Sequence, residues 1–206
     1  RNVAAIENKG FEIGVNAVPV RNKDWNWSLQ ANWWKNKAKV TRLDVPPFNE
    51  GAFGASLGTY RIENGKSPTQ LVGIGRAEDK ADPVTGLAVY GDAEADFNLS
   101  LSNDVTWRNF EFSVLMHWKQ GGDNINLSTY LGDLTGNSPD WNDFSLDPSA
   151  RLANGPYRLS IAGVTAGPWI QDASYFRVRE LGLRYTLPRQ WFKDIATVKL
   201  GFSGRN

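Results

Sequence analysis

Apolar and polar side chains alternate one for one through six stretches of this chain, and a period of two confines it to β-strands with one dry and one wet face. Phe11, Ile13, Val15 and Ala17 alternate with Glu12, Gly14 and Asn16, and Trp25, Trp27, Leu29, Ala31 and Trp33 alternate with Asn26, Ser28, Gln30 and Asn32. Ala95, Phe97, Leu99 and Leu101 run against Asp96, Asn98, Ser100 and Ser102, and Phe110, Phe112, Val114, Met116 and Trp118 against Glu111, Ser113, Leu115, His117 and Lys119. Leu181, Leu183, Tyr185 and Leu187 follow with Gly182, Arg184 and Thr186 between them, and Val198, Leu200 and Phe202 close the set. Upstream of Leu181 the phase slips, because Phe176 and Val178 occupy the other register, so a bulge is predicted at Arg179 or Glu180.

The connections come in two sizes. Arg21 to Asp24, Trp107 to Asn109 and Pro188 to Asp194 are short turns, whereas 41–94 and 121–169 are long, rich in Gly, Asp, Asn and Pro, and without sustained periodicity. Three hairpins whose long connections all leave from the same end match the loop asymmetry of outer-membrane barrels. A β-sandwich has no reason for that asymmetry, and unstructured loops of such length are uncommon in compact domains.

Aromatic residues mark the strand ends. Trp25, Trp27, Phe110, Phe112 and Tyr185 lie beside the short turns. Trp33 and Trp118 fall about eight residues further along, roughly 26 Å at ~3.3 Å per residue, near the ~25 Å apolar band between two aromatic girdles. The tryptophan face is therefore expected to meet lipid. Leu99 and Ser100, placed in mid-strand, should leave opposite faces, one to hydrocarbon and one to the wet interior. The rival use of nine tryptophans is a sugar-stacking platform on a soluble carbohydrate-binding sandwich. Trp34, on the polar parity, and Trp141 and Trp169, in the second long connection, are the candidates for ligand contact.

Composition closes off much chemistry. With 41% hydrophobic residues and a net charge of +1, the 206-residue chain shows no imbalance that points to nucleic acid. It has no cysteine, and its single histidine, His117, cannot assemble a histidine metal cluster or a Ser/His/Asp triad. No enzyme activity and no cofactor are expected. Glu78, Asp79 and Asp82, and Asp92, Glu94 and Asp96, offer oxygen ligands for calcium, but their spacing fits no defined calcium loop and a solvated acidic loop is the simpler reading. The 65–73 stretch lacks the Gly-Lys-Ser/Thr ending of a phosphate loop. No apolar run reaches the ~20 residues of a membrane helix.

The run from Ile170 to Pro188, with Asp172-Ala173-Ser174, then Tyr175-Phe176-Arg177-Val178-Arg179-Glu180, then Leu183 and Tyr185-Thr186-Leu187-Pro188, resembles a late barrel strand of the SusC-like TonB-dependent outer-membrane transporters of Bacteroidetes-type bacteria. Asn8-Lys9-Gly10-Phe11-Glu12-Ile13, with Gly10 and Glu12 in the family's positions, resembles another strand opening, and Asn36-Lys37-Ala38-Lys39-Val40, Asp82 to Gly86 and Gly121-Gly122-Asp123 extend the likeness. Thr69 and Gln70 depart from the family pattern. The resemblance implies an all-β, antiparallel transmembrane barrel portion with long extracellular loops. Residues 1–206 would form part of a C-terminal barrel of about 22 strands, with the plug domain and closing strands lying outside them. It also implies glycan or oligopeptide import across the bacterial outer membrane, a SusD-like surface lipoprotein as partner, and TonB acting through the plug. A porin-like barrel without active transport is the other membrane alternative.

Overall fold

The computed structural model describes residues 3–51 and 53–206. In chain order its strands are β1 (Ala4–Arg21), β2 (Trp25–Leu43), β3 (Phe48–Glu50), β4 (Thr59–Ile62), β5 (Gln70–Ile74), β6 (Leu87–Asp92), β7 (Phe97–Trp107), β8 (Phe110–Gln120), β9 (Asp123–Ile125), β10 (Ile170–Asp172), β11 (Tyr175–Thr186) and β12 (Lys199–Arg205). Its helices are α1 (Gly54–Leu57), α2 (Leu127–Thr135) and α3 (Asn154–Ser160). The chain divides into two compact units, one of residues Gly10–Asn36, Asp96–Gln120 and Ser174–Asn206, the other of the remaining segments.

The first unit is built on a six-stranded sheet of order β1-β2-β7-β8-β11-β12, whose strands β2, β7, β8, β11 and β12 pair antiparallel with their neighbours. The predicted hairpins are its three short-turn pairs. Asn22 sets the first turn, its side-chain oxygen accepting from the Asp24 and Trp25 amides at 3.0 and 2.9 Å. The second turn is Arg108-Asn109 alone, with Arg108 in the left-handed region at φ 50°. The phase slip is a register shift between Val178 and Glu180, which leaves Arg179 as the extra residue.

The register brings the apolar parity of β2, β7, β8, β11 and β12 onto one face. Trp25, Trp107, Phe110 and Tyr185 form the row nearest the short turns, with ring centroids 5.5, 5.9 and 4.6 Å apart along it. At the other end Trp33, Phe97 and Trp118 make a second band, at 6.2 and 5.1 Å. Between them lie Ala31, Leu101, Met116 and Val178, and Leu29, Asn103, Val114 and Leu181. Asn103 is the polar exception, and the Trp27 indole donates to its side-chain oxygen at 3.3 Å. This face is not covered by protein: Phe176 is 63% exposed, Leu183 47% and Phe202 70%. Leu99 stands opposite Trp33 and Trp118, so it belongs to the second aromatic band and not to the middle of the strand; Leu101 holds the middle.

β1 and β2 are 18 and 19 residues long, well beyond the alternating runs that announced them. Their extensions, rich in Lys and Asn, have left the dry band, so nothing there demands alternation. Gly10 packs against β2 with no room for a side chain: a Cβ added to it would lie 2.5 Å from the Lys35 carbonyl oxygen.

The two long connections, expected without regular structure, are folded, and they make the second unit. Strands β3-β4-β5-β6 form a four-stranded sheet and β9 pairs with β10. Val40, Leu71, Val72, Ala88, Ala166 and Trp169 form its core, all within 1% of full burial. Within this unit the Val40 backbone donates to the Lys66 carbonyl and accepts from the Gly65 amide at 2.8 and 2.7 Å. Buried Arg158 of α3 grips Asp133 of α2 with two bonds of 2.7 Å and reaches Asp140 with two more, at 2.7 and 2.8 Å. These elements are three to nine residues long, too short to show a period in sequence.

Candidate functional site

The wet face of the six-stranded sheet carries an aromatic cluster where the alternation would place only polar groups. Two register rows build it: Asn32, Ser100, His117 and Arg177, and beside them Trp34, Asn98, Lys119 and Tyr175. Asn98 and Ser100 on β7 are small enough for the Trp34 indole to reach across from β2 and lie on the His117 ring, 5.8 Å between centroids and 12° from parallel. Tyr175 meets the same imidazole edge-on at 5.5 Å, with its hydroxyl 3.2 Å from Nδ1. Arg177 completes the group, its guanidinium carbon 4.3 Å from the centroid of the Tyr175 ring. His117 Nε2 is buried without a protein partner. Trp34, His117 and Tyr175 are half-buried, and Arg177 is exposed.

Toward the short turns the same face turns acidic and basic by turns. A groove of about 290 Å³ runs between Ser102, Asp104, Ser113, Leu115, Glu180 and Arg184. Gly182 opens it, since a Cβ there would lie 2.6 Å from the Ser113 hydroxyl. Glu111 closes the row by pairing with Lys199 and, at 3.9 Å, with Arg184; Glu180 pairs with Arg205 at 3.2 Å.

The residues singled out in sequence fall in different places. Of the three candidate ligand tryptophans, Trp34 is in the cluster. Trp169 is fully buried, edge-on to Tyr130 at 5.6 Å, so it is a core residue that no ligand reaches. Trp141 is half-buried against Gly155, which has no room for a side chain on that side. Among the resemblance motifs, Arg177 belongs to the cluster, Glu180 to the groove, and Leu183 and Tyr185 to the dry face. Arg179 is the bulge residue, Pro188 opens the short helical turn before β12, and Gly10 and Glu12 lie on β1. Asp172 ends β10 opposite Asp123, and Ser174 lies between β10 and β11. Tyr175 was not singled out as a contact residue, because only the pairing register shows that it shares a row with Trp34.

The acidic loop residues work as internal acceptors. Asp82 takes the Thr85 and Val84 amides and the Thr85 hydroxyl, and those bonds, the Thr85 amide first, hold its carboxyl below the usual range. Asp79 accepts from the Arg76 amide and Asp92 from the Thr69 hydroxyl, while Glu94 takes the Ala38 amide. Among the described residues no three His, Asp or Glu side chains gather in a way that could hold a metal.

No family model matches the chain. It is 25% identical, over its whole length and 24% of the other protein, to the TonB-dependent receptor P3 of Formosa agariphila. It is 22% identical over 93% of its length to the TonB-dependent receptor SusC of Bacteroides thetaiotaomicron, of which it covers 21%. Among solved structures, the RagAB peptide transporter matches 99% of the chain with a TM-score of 0.69 at 16% identity, across 25% of its own chain. The RagAB importer in its closed-closed state matches with a TM-score of 0.62 at 15% identity, covering all of this chain and 26% of the other. In fold and sequence the chain is thus similar to an antiparallel β-sheet portion of TonB-dependent receptors. Within that class the chain is SusC-like, and it spans about a quarter of the length of the curated relatives it matches.

Proposed function

We propose that this chain is barrel wall and surface loop from an outer-membrane importer of glycans or oligopeptides. TonB would drive it through a plug domain encoded elsewhere in the protein, and a SusD-like lipoprotein would cap it. The observation that carries the reading is the apolar face. A continuous surface of Trp, Phe, Leu and Val, bounded at each end by aromatic rows and left uncovered by protein, requires a non-aqueous neighbour, and hydrocarbon is the one the girdle spacing suits. Likeness to the TonB-dependent receptor SusC and to the RagAB peptide transporter supports the transport reading; the latter's name gives the peptide class, and the glycan class rests on the family resemblance of the sequence. The soluble sandwich is not favoured, because its dry faces would pack on each other and not stand open. The proteins it is similar to are receptors and a transporter.

Orientation and activity are tested together. Epitope tags at Val84 or Phe144, both exposed in the loop unit, should be reached by antibody on intact cells, and tags at Asn22 or Arg108 should not. Deleting the whole receptor should abolish growth on one oligosaccharide or peptide source in a TonB-dependent manner. Surface labelling at Asn22, or growth indifferent to TonB on every such source, would sink the proposal.

A further inference from the structure

We propose that the cluster of Trp34, His117, Tyr175 and Arg177 is a subsite for an acidic sugar, a pyranose bearing a carboxylate. The ring's CH face would lie on the aromatic side chains, and its anion would meet Arg177 and Lys119. The inference rests on the importer reading above and narrows its cargo.

Three observations carry it. The first is the cost of the arrangement. Aromatic rings on a wet wall gain little from packing, yet three are drawn from β2, β8 and β11 onto one spot, where the indole lies 12° from parallel on the imidazole and Tyr175 stands edge-on to it at 75°, making the half-buried Trp34 indole the platform. Such platforms take sugar rings by their CH faces, with tolerance for register. The second is charge. The two rows of the cluster hold two cations, Arg177 and Lys119, and no acidic residue. Among the described residues neither cation has a carboxylate partner; the nearest acid along β11, Glu180, is already paired with Arg205 at 3.2 Å. Arg177 is held over Tyr175 with its planar fork of donors unspent, a geometry matched to a carboxylate. The third is the filling between them. Asn32, Asn98 and Ser100 line the same rows and offer both the donors and the acceptors that sugar hydroxyls need.

The test uses the full-length receptor in detergent, titrated calorimetrically with a galacturonate tetramer, a neutral glucose tetramer and tetraglutamate. The galacturonate should bind about tenfold or more tighter than either of the others, the weight of one charge-assisted bidentate contact. Arg177→Gln should erase most of that preference and flatten its salt dependence. Trp34→Ala should weaken acidic and neutral sugars by a similar factor, and Trp34→Phe should recover part of the loss. Lys119→Gln, which leaves the Arg177–Tyr175 contact in place, should also reduce the preference and serves if Arg177→Gln does not assemble, as judged by heat-dependent gel mobility. Equal affinity for neutral and acidic sugars, tighter binding of tetraglutamate, or an unchanged preference in both Gln variants would overturn the subsite. TonB-dependent uptake that persists without any acidic preference refutes the subsite alone; loss of TonB dependence refutes the importer reading, whatever the calorimetry shows.

Discussion

The two units of this chain bury themselves in opposite ways. Among the described residues, the largest fully buried side chains, Trp169, Arg158, Leu71 and Val40 included, belong to the unit made by the long connections, which has a dry centre and even a buried ion pair, as a water-soluble domain does. The six-stranded sheet has no such centre. Its largest apolar residues stand on an open face, while Ser, Asn and charged groups line the other. One chain thus contains a region that solves the solvent problem internally and a region that leaves it to its surroundings. Perturbations should therefore separate the two.

The largest separation is expected from Arg158→Ala. It would leave the Asp133 carboxylate, fully buried, without its counter-charge, a loss of about 3–5 kcal/mol. In the full-length protein, limited proteolysis should then cut within residues 121–173 while heat-dependent gel mobility stays that of the parent. Replacing both partners, Arg158→Met with Asp133→Leu, should recover much of the loss. Collapse of the barrel along with the loops would show that the two regions are not separately stabilised.

The second contrast lies within the sheet. Leu101→Arg, opposite Ala31 and Met116, should cost about 2–4 kcal/mol in unfolding from lipid vesicles, and Leu99→Arg, in the aromatic band, only about 0–1. Ser102→Arg enters the wet groove and should stay well below Leu101→Arg. Should Ser102→Arg prove the worse of the two, the polar parity is the packed face and the assignment of surroundings is reversed.

The same contrast explains what the sequence disclosed. Alternation is imposed by a two-sided environment, so wherever the sheet separates a dry from a wet medium, as from Trp25 to Trp33, the residues announce it. The bulge at Arg179 was visible for the same reason: a slipped phase needs a spare residue. The loop unit has no such constraint. Its strands of three to six residues are fixed by partners far away in sequence, as Arg158 is by Asp133, and no local pattern records a distant partner. Trp169 illustrates the consequence, since a tryptophan among Gly and Pro gave no sign that it fills a core. Trp34 stands out in the sequence because it breaks parity, yet His117 and Tyr175 join it only through register.

A smaller effect tests how tightly β1 is joined to its neighbour. Gly10→Ala would push a methyl group toward the Lys35 carbonyl, which cannot move without its strand, so about 1–3 kcal/mol is expected, read as faster amide exchange along β1. Exchange unchanged from the parent would mean that β1 is loosely held and that its edge is not part of a continuous wall.

The smallest predicted effect is confined to one loop and depends on pH. Asp147 is exposed, yet its carboxylate accepts from the Ser149 hydroxyl at 2.7 and 2.8 Å, the Ser149 amide at 2.9 Å, and the Arg151 and Leu152 amides at 3.0 and 2.9 Å. Those bonds, the Ser149 hydroxyl first, lower its pKa to about 2 from the model-peptide value near 4. A depressed folded-state value means that the ionised form supports the loop. The support is complete above the unfolded value and fades as pH falls through about 2. Amide protection at Ser149, Arg151 and Leu152 should therefore persist at pH 5 and disappear between about 4 and 2, and Asp147→Asn should lack the pH dependence altogether. The central dry-face row of Ala31, Leu101, Met116 and Val178 holds no titrating group, so exchange there should show no matching step. A transition in the sheet over the same interval would tie its stability to the loop and dissolve the contrast between the two regions.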